Sequence, residues 1–273
     1  MLFQRVLTAI PLALVIIWII LFQPGKVFFW LTMAVTAVAA YEWARLAGLK
    51  TAGRIIYLLL MCAIPWILLY RLEQYREFYV YAGVIWWLII CLYLFSAKPL
   101  SVTKETSPAK IFAGALVIPA AVIAMNVLHM QVHGPEWLLY GLMLVWVADI
   151  GAYFSGRRFG RHKLAPAISP GKTLEGLYGA IAAVSVYSCI AAYYFGLDLT
   201  DTALLLLLAV VLTLISVAGD LYESVLKREH GVKDSGAILP GHGGMLDRID
   251  SVLAAMPVFV VGRELLLKPV FNV

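Results

Sequence analysis

Apolar positions along this chain come in long unbroken blocks, and polar positions are confined to short breaks between them. The blocks lie near Val6–Phe22, Val27–Ala47, Ile55–Tyr70, Phe78–Ala97, Ile111–His129, Trp137–Ser155, Leu174–Phe195, Ala203–Leu221 and Ser251–Leu267. An α-helix needs about 17–25 mostly apolar residues to cross a bilayer, which most of these blocks provide. Helices are expected because a membrane barrel would show period-2 strands instead. The pattern predicts an all-α polytopic transmembrane bundle of about nine spans, without an internal repeat. The third block is short. Pro119 and Pro257 predict a kink or a functional break in the fifth and ninth. The first block lacks a small-residue cleavage site, so a signal anchor is expected rather than a removed signal peptide.

Composition agrees with this pattern. The chain has 273 residues, 63% hydrophobic and 14% charged, including 8 Trp, 14 Tyr and 12 Phe. A soluble domain carries roughly 45–50% apolar and about 25% charged residues, so a water-facing surface cannot be built here. The aromatic residues suit the two membrane interfaces. Cys62, Cys91 and Cys189 sit in apolar runs with no metal, haem or redox spacing and read as small buried hydrophobes. The net charge of +5 does not point to nucleic acid: with the N-terminus inside, 16 of the 21 lysines and arginines fall on inner segments. That asymmetry predicts a cytoplasmic N-terminus and an outer C-terminus for a multi-pass membrane protein.

The carboxylates narrow the reading further. Asp149 interrupts an apolar stretch, Asp220 closes the eighth span, and Asp247 and Asp250 open the ninth. A carboxylate at bilayer depth costs roughly 2.5 kcal/mol or more, so each needs a salt bridge or a use. Several at one cytoplasmic level favour a shared site. Asp220, Glu223 and Lys227 fall at i, i+3 and i+7, on one face if the eighth helix continues, and Asp247 and Asp250 are i, i+3. Oxygen ligands of this kind suit magnesium, which takes one or two carboxylates and fills its shell with water and phosphate. Lys227, Arg228, Lys233 and Arg248 stand beside them and suit a polyphosphate substrate.

Two polar segments add to the site. The loop GVKDSGAILPGHGGMLDR carries five glycines, which permit turns and close approach of backbone to phosphate. His242 within it could bind phosphate, move a proton or simply be solvated. Before the seventh span, Gly171-Lys172-Thr173 looks like the tail of a phosphate-binding P-loop, but Pro166 stands where that motif needs its first glycine. Lys172 at a helix start is still a reasonable anion site, or a juxtamembrane lysine drawn to anionic lipid. His129 and His133 lack a third ligand and read as interfacial. Glu42 is expected to pair with Arg45.

Ser224–Asp250, SVLKREHGVKDSGAILPGHGGMLDRID, resembles the signature of the phosphatidate cytidylyltransferases, or CDP-diacylglycerol synthases. Ser224, Lys227, Arg228, Lys233, Asp234, Pro240, His242, Gly243, Gly244, Asp247, Arg248 and Asp250 fill every fixed position. ADIGAYFSGRRFG and SPGKTLEG upstream also look like this family. The resemblance implies that phosphatidate attacks the α-phosphorus of CTP, giving CDP-diacylglycerol and pyrophosphate, with Mg2+ required. It leaves open a second, monovalent cation and a homodimer. Asp220, Asp247 and Glu223 are then the metal set. Asp149, Lys172, Lys227, Arg228, Lys233, Asp234, His242, Arg248 and Asp250 are the catalytic set. Residues 1–130 become a variable scaffold, and 131–273 a catalytic region with cytoplasmic loops 156–173 and 222–250. The partners are CTP, phosphatidate and membrane lipids. The alternatives are a CTP-dependent lipid kinase of the dolichol-kinase type and a cation-coupled transporter. A CDP-alcohol phosphotransferase is weaker, since its DG…AR…G…D…D motif is missing.

Overall fold

The computed structural model describes residues 2–95, 102–103, 105–238 and 243–267. Its helices are α1 (Leu2–Phe22), α2 (Gly25–Leu46), α3 (Thr51–Tyr70), α4 (Arg76–Phe95), α5 (Pro108–His129), α6 (Gly134–Phe159), α7 (Leu174–Tyr194), α8 (Leu199–Glu229) and α9 (Leu246–Leu266). The fold is all-α, and each apolar block has become one helix. By length and composition, α2 to α8 are each able to cross a membrane, the fourth counted from Glu73. The chain is therefore a multi-pass membrane protein.

The middle of the bundle is formed by α5 and α9. Both are buried on nearly every side, Val117–Ala124 on α5 and Ser251–Val261 on α9. Both stay helical through Pro119 and Pro257, without a break at either proline. Small residues bring the backbones close: a methyl at Gly219 on α8 would meet the Asp250 carbonyl and Ala254 on α9. Small residues serve helix contact inside a membrane in this way, because close approach maximises dispersion between backbones. Two pairs of polar side chains join helices inside the bundle. Asn126 Nδ2 donates to Thr32 Oγ1 at 3.0 Å, and Tyr140 and Ser188 share a hydrogen bond of 2.7 Å. His129, the last residue of α5, is buried within the protein: its ring bonds the Ile20 carbonyl at 3.0 Å and stacks on Phe28.

Two departures from the hydropathy pattern shape the site. α8 continues eight residues beyond Leu221 to Glu229, where the apolar run ends but helix-forming Glu, Leu, Lys and Arg follow. Between α6 and α7 the chain makes a small antiparallel hairpin, β1 (Lys163–Ala165) and β2 (Ser169–Thr173). Glu175 on α7 pins it, accepting from the Arg161 amide at 3.0 Å and bonding His162 Nδ1 at 2.7 Å. Thr173 then caps α7, its hydroxyl accepting from the Gly176 amide at 3.1 Å.

Candidate active site

The extension of α8 puts Asp220, Glu223, Ser224 and Lys227 on successive turns of one face. Lys172, carried on β2, reaches Asp220 with 2.8 Å between Nζ and Oδ2. Ser224 Oγ donates to the other Asp220 oxygen at 3.4 Å. Lys227 is enclosed between two acids, 2.5 Å from Glu223 Oε2 and 2.6 Å from Asp247 Oδ1.

Asp247 is held from its other side as well. Its Oδ2 accepts from the Ser235 amide at 2.9 Å, the Ser235 hydroxyl at 3.0 Å and the Gly244 amide at 2.8 Å. Gly243 takes φ +83°, a left-handed conformation that glycine adopts without strain, and thereby turns the chain into α9 beside this carboxylate. Asp250 lies one turn further along α9, its Oδ1 accepting from the Ser251 amide at 2.6 Å. The Asp250 carboxyl is within electrostatic reach of Asp220, Lys172 and Lys227. Asp149, exposed on α6, is within reach of Asp220 and Lys172.

Seven of the residues singled out by sequence thus come together: Asp149, Lys172, Asp220, Glu223, Lys227, Asp247 and Asp250. Arg228, Lys233, Asp234 and Arg248 are exposed around this cluster. Asp234 takes part through its backbone carbonyl, which accepts from Arg45 at 3.1 Å. His242, with Pro240, lies outside the described residues, as do Lys98 and Lys104.

Glu42 and Arg45 depart from expectation. Glu42 does not pair with Arg45. It is buried, and its carboxylate accepts from Ser235 Oγ at 3.0 Å and from the Met245 and Leu246 amides at 3.2 and 2.9 Å. Arg45 instead donates to the Asp234 and Ser235 carbonyls. Lys110, in the first turn of α5, is buried and pairs with Glu229 at 3.0 Å. The available signal for Glu42 was its isolation in a hydrophobic helix, where an ionisable residue is functional by default. The i, i+3 arginine concealed it by offering a local partner.

Five carboxylates face two ammonium groups in this cluster, so a multivalent cation would relieve the excess negative charge. Among the described residues no three acidic, His or Cys side chains already converge on one point as a metal set. The donors nevertheless fit a hard cation. They are all oxygen, and the buried Glu223 Oε1 has no hydrogen-bond partner, an exception in a protein interior that asks for an explanation. Magnesium bound through one or two carboxylates and completed by phosphate oxygens would meet that need without a ready-made cage.

A model of the cytidylyltransferase family matches residues 3–266 of the chain. The phosphatidate cytidylyltransferase of Pseudomonas aeruginosa is 38% identical over 261 residues, which is 95% of this chain and 96% of that protein. The phosphatidate cytidylyltransferase of Haemophilus influenzae is 40% identical over 286 aligned positions, 95% of this chain and 97% of that protein. One from Staphylococcus haemolyticus is 45% identical over 125 residues, 46% of this chain and 48% of that protein.

Proposed function

Because the chain belongs to the cytidylyltransferase family, we propose that it transfers the cytidylyl group of CTP to phosphatidate, forming CDP-diacylglycerol and pyrophosphate for phospholipid synthesis. The similarity in sequence and length to phosphatidate cytidylyltransferases carries this reading, and the carboxylate–lysine cluster gives it a chemical basis.

A phosphatidate oxygen attacks the α-phosphorus of CTP. One P–O bond forms, the bond from that phosphorus to the bridging oxygen breaks, and pyrophosphate leaves with the electron pair. A phosphate monoester is already anionic near neutral pH, so no strong base is required. Magnesium held by Asp220, Asp247 and Glu223 would supply positive charge to the triphosphate oxygens. Asp149 and Asp250 complete and orient that carboxylate set. Lys172 and Lys227, with Arg228, Lys233 and Arg248 at the rim, neutralise the triphosphate and the lipid headgroup. Rate comes mainly from positioning and charge neutralisation. Nine spans with the N-terminus inside would set the cluster at the cytoplasmic face of the inner membrane. CTP then enters from water and the acyl chains stay in lipid.

The test is the fate of label from CTP incubated with magnesium, phosphatidate and the purified protein. Label from the cytidine or α-phosphate is expected in the lipid and label from the γ-phosphate in pyrophosphate. Lipid carrying only γ-phosphate would overturn the proposal in favour of a CTP-dependent lipid kinase.

A further inference from the structure

Glu42 belongs to α2, far from the signature in sequence, yet its carboxylate ends at the active site. Four observations bear on what it does there. It is buried at 3% exposure, and among the described residues its hydrogen bonds come from Ser235 and the Met245 and Leu246 amides. Ser235, itself fully buried, places one hydroxyl 3.0 Å from Glu42 Oε2 and 3.0 Å from Asp247 Oδ2. The same hydroxyl accepts from the Asp247 amide at 3.3 Å. A methyl at Gly236 or Gly244 would run into the Glu42 carboxylate, so the loop is shaped around it.

Capping α9 accounts for only part of this. Met245 precedes the helix in a helical conformation, φ −65° and ψ −41°, with no side-chain cap bond. An acceptor from another helix is therefore needed for the first amides. A cap alone would not require Ser235 to span two carboxylates. A hydroxyl has one proton, so Ser235 donates to one acid at a time; while it donates to Glu42 it still accepts from the Asp247 amide and its own amide holds Asp247 Oδ2, which ties the position of Asp247 to that of Glu42.

We infer that Glu42 is a positioning residue of the active site: through Ser235 and the start of α9 it fixes the Asp247 carboxylate and so sets the affinity of the site for a divalent cation. This rests on the proposed metal-holding role of Asp247. Groups that orient metal ligands typically cost about 10–100-fold in affinity or activity when removed.

The experiment measures binding of Mn2+ alone, by electron paramagnetic resonance, to the full chain in nanodiscs without nucleotide or lipid substrate. Glu42→Gln and Ser235→Ala are each expected to weaken Mn2+ binding about tenfold or more. The magnesium concentration for half-maximal transfer should rise in parallel, while the KM for phosphatidate at saturating metal stays unchanged. Unaltered Mn2+ affinity in a folded Glu42→Gln protein with a lower melting temperature would reduce Glu42 to a helix cap and overturn the inference. If Glu42→Gln does not fold, Ser235→Ala decides alone, since it leaves the Glu42 bonds to α9 in place: weakened binding supports the inference and unchanged binding ends it. Wild-type protein that binds Mn2+ but moves no label from CTP would defeat the proposed reaction and leave the Glu42 result standing.

Discussion

Two lysine–carboxylate pairs stand on the same face of α8, and they are held very differently. Lys227 and Asp247 have side chains 13% and 10% exposed, and three further donors fix the second Asp247 oxygen. Lys172 and Asp220 are 22% and 36% exposed, and beyond their 2.8 Å contact they have, among the described residues, only long bonds, 3.5 Å to the Val217 carbonyl and 3.4 Å from the Ser224 hydroxyl. A carboxylate with many fixed donors keeps its position when substrate arrives, and positions of this kind make electrostatic catalysis effective. A more open pair can separate so that its ammonium turns to phosphate and its carboxylate to a cation. The first pair reads as the fixed point of the site and the second as its exchangeable side.

Removing the two lysines should separate these roles most strongly. Lys227→Ala leaves Glu223 and Asp247 buried together without their shared cation, a situation that costs about 3–5 kcal/mol of stability. Lys172→Ala leaves Asp220 with access to water and should cost below about 1 kcal/mol, while still lowering the rate of transfer. Thermal unfolding of both variants in the same detergent checks the order, and a larger loss for Lys172→Ala would break the comparison. The expected effect is smaller for glycines on the two sides. In Gly244→Ala the new methyl meets the Ser235 hydroxyl, the Glu42 carboxylate and the Gly236 backbone amide, which cannot all move aside. A cost of about 1–3 kcal/mol follows, as for other overpacked sites. Gly171→Ala, next to Lys172, meets nothing within 4 Å and should stay within about 0.5 kcal/mol. Equal losses for the two would mean that the loop around Glu42 is less closely fitted than the geometry requires.

Much of this arrangement was legible in the chain itself, because the relevant signals are local. Apolar blocks report which segments are helices, and the i, i+3, i+7 spacing of Asp220, Glu223 and Lys227 reports a shared face once α8 continues. Asp247 and Asp250 follow the same rule on α9. What the pattern could not show is which distant group completes each bond. Glu42 meets Leu246 across 204 positions, and no periodicity within α2 encodes that contact. Lys172 does stand at a helix start, just before the Thr173 cap of α7, but only the β1–β2 hairpin brings it to Asp220 on α8. That hairpin is short and polar, with Pro166, Pro170 and Gly171 among its residues, so it gives no strand signal of its own. Residues 1–130, expected as a scaffold, also carry Glu42 and Arg45, whose bonds go to Ser235, Asp234 and the start of α9.

The central claim is that Asp247 anchors a cytidylyl-transfer site. Asp247→Asn keeps the shape of the side chain and removes its charge, and the deciding measurement is transfer of cytidine label from CTP to phosphatidate by this variant. The account predicts a fall of about 10³-fold, the scale of losing a major electrostatic contributor, with the protein inserted in the membrane at the wild-type level. Activity close to wild type in that inserted protein would contradict it and remove Asp247 from the metal-holding set.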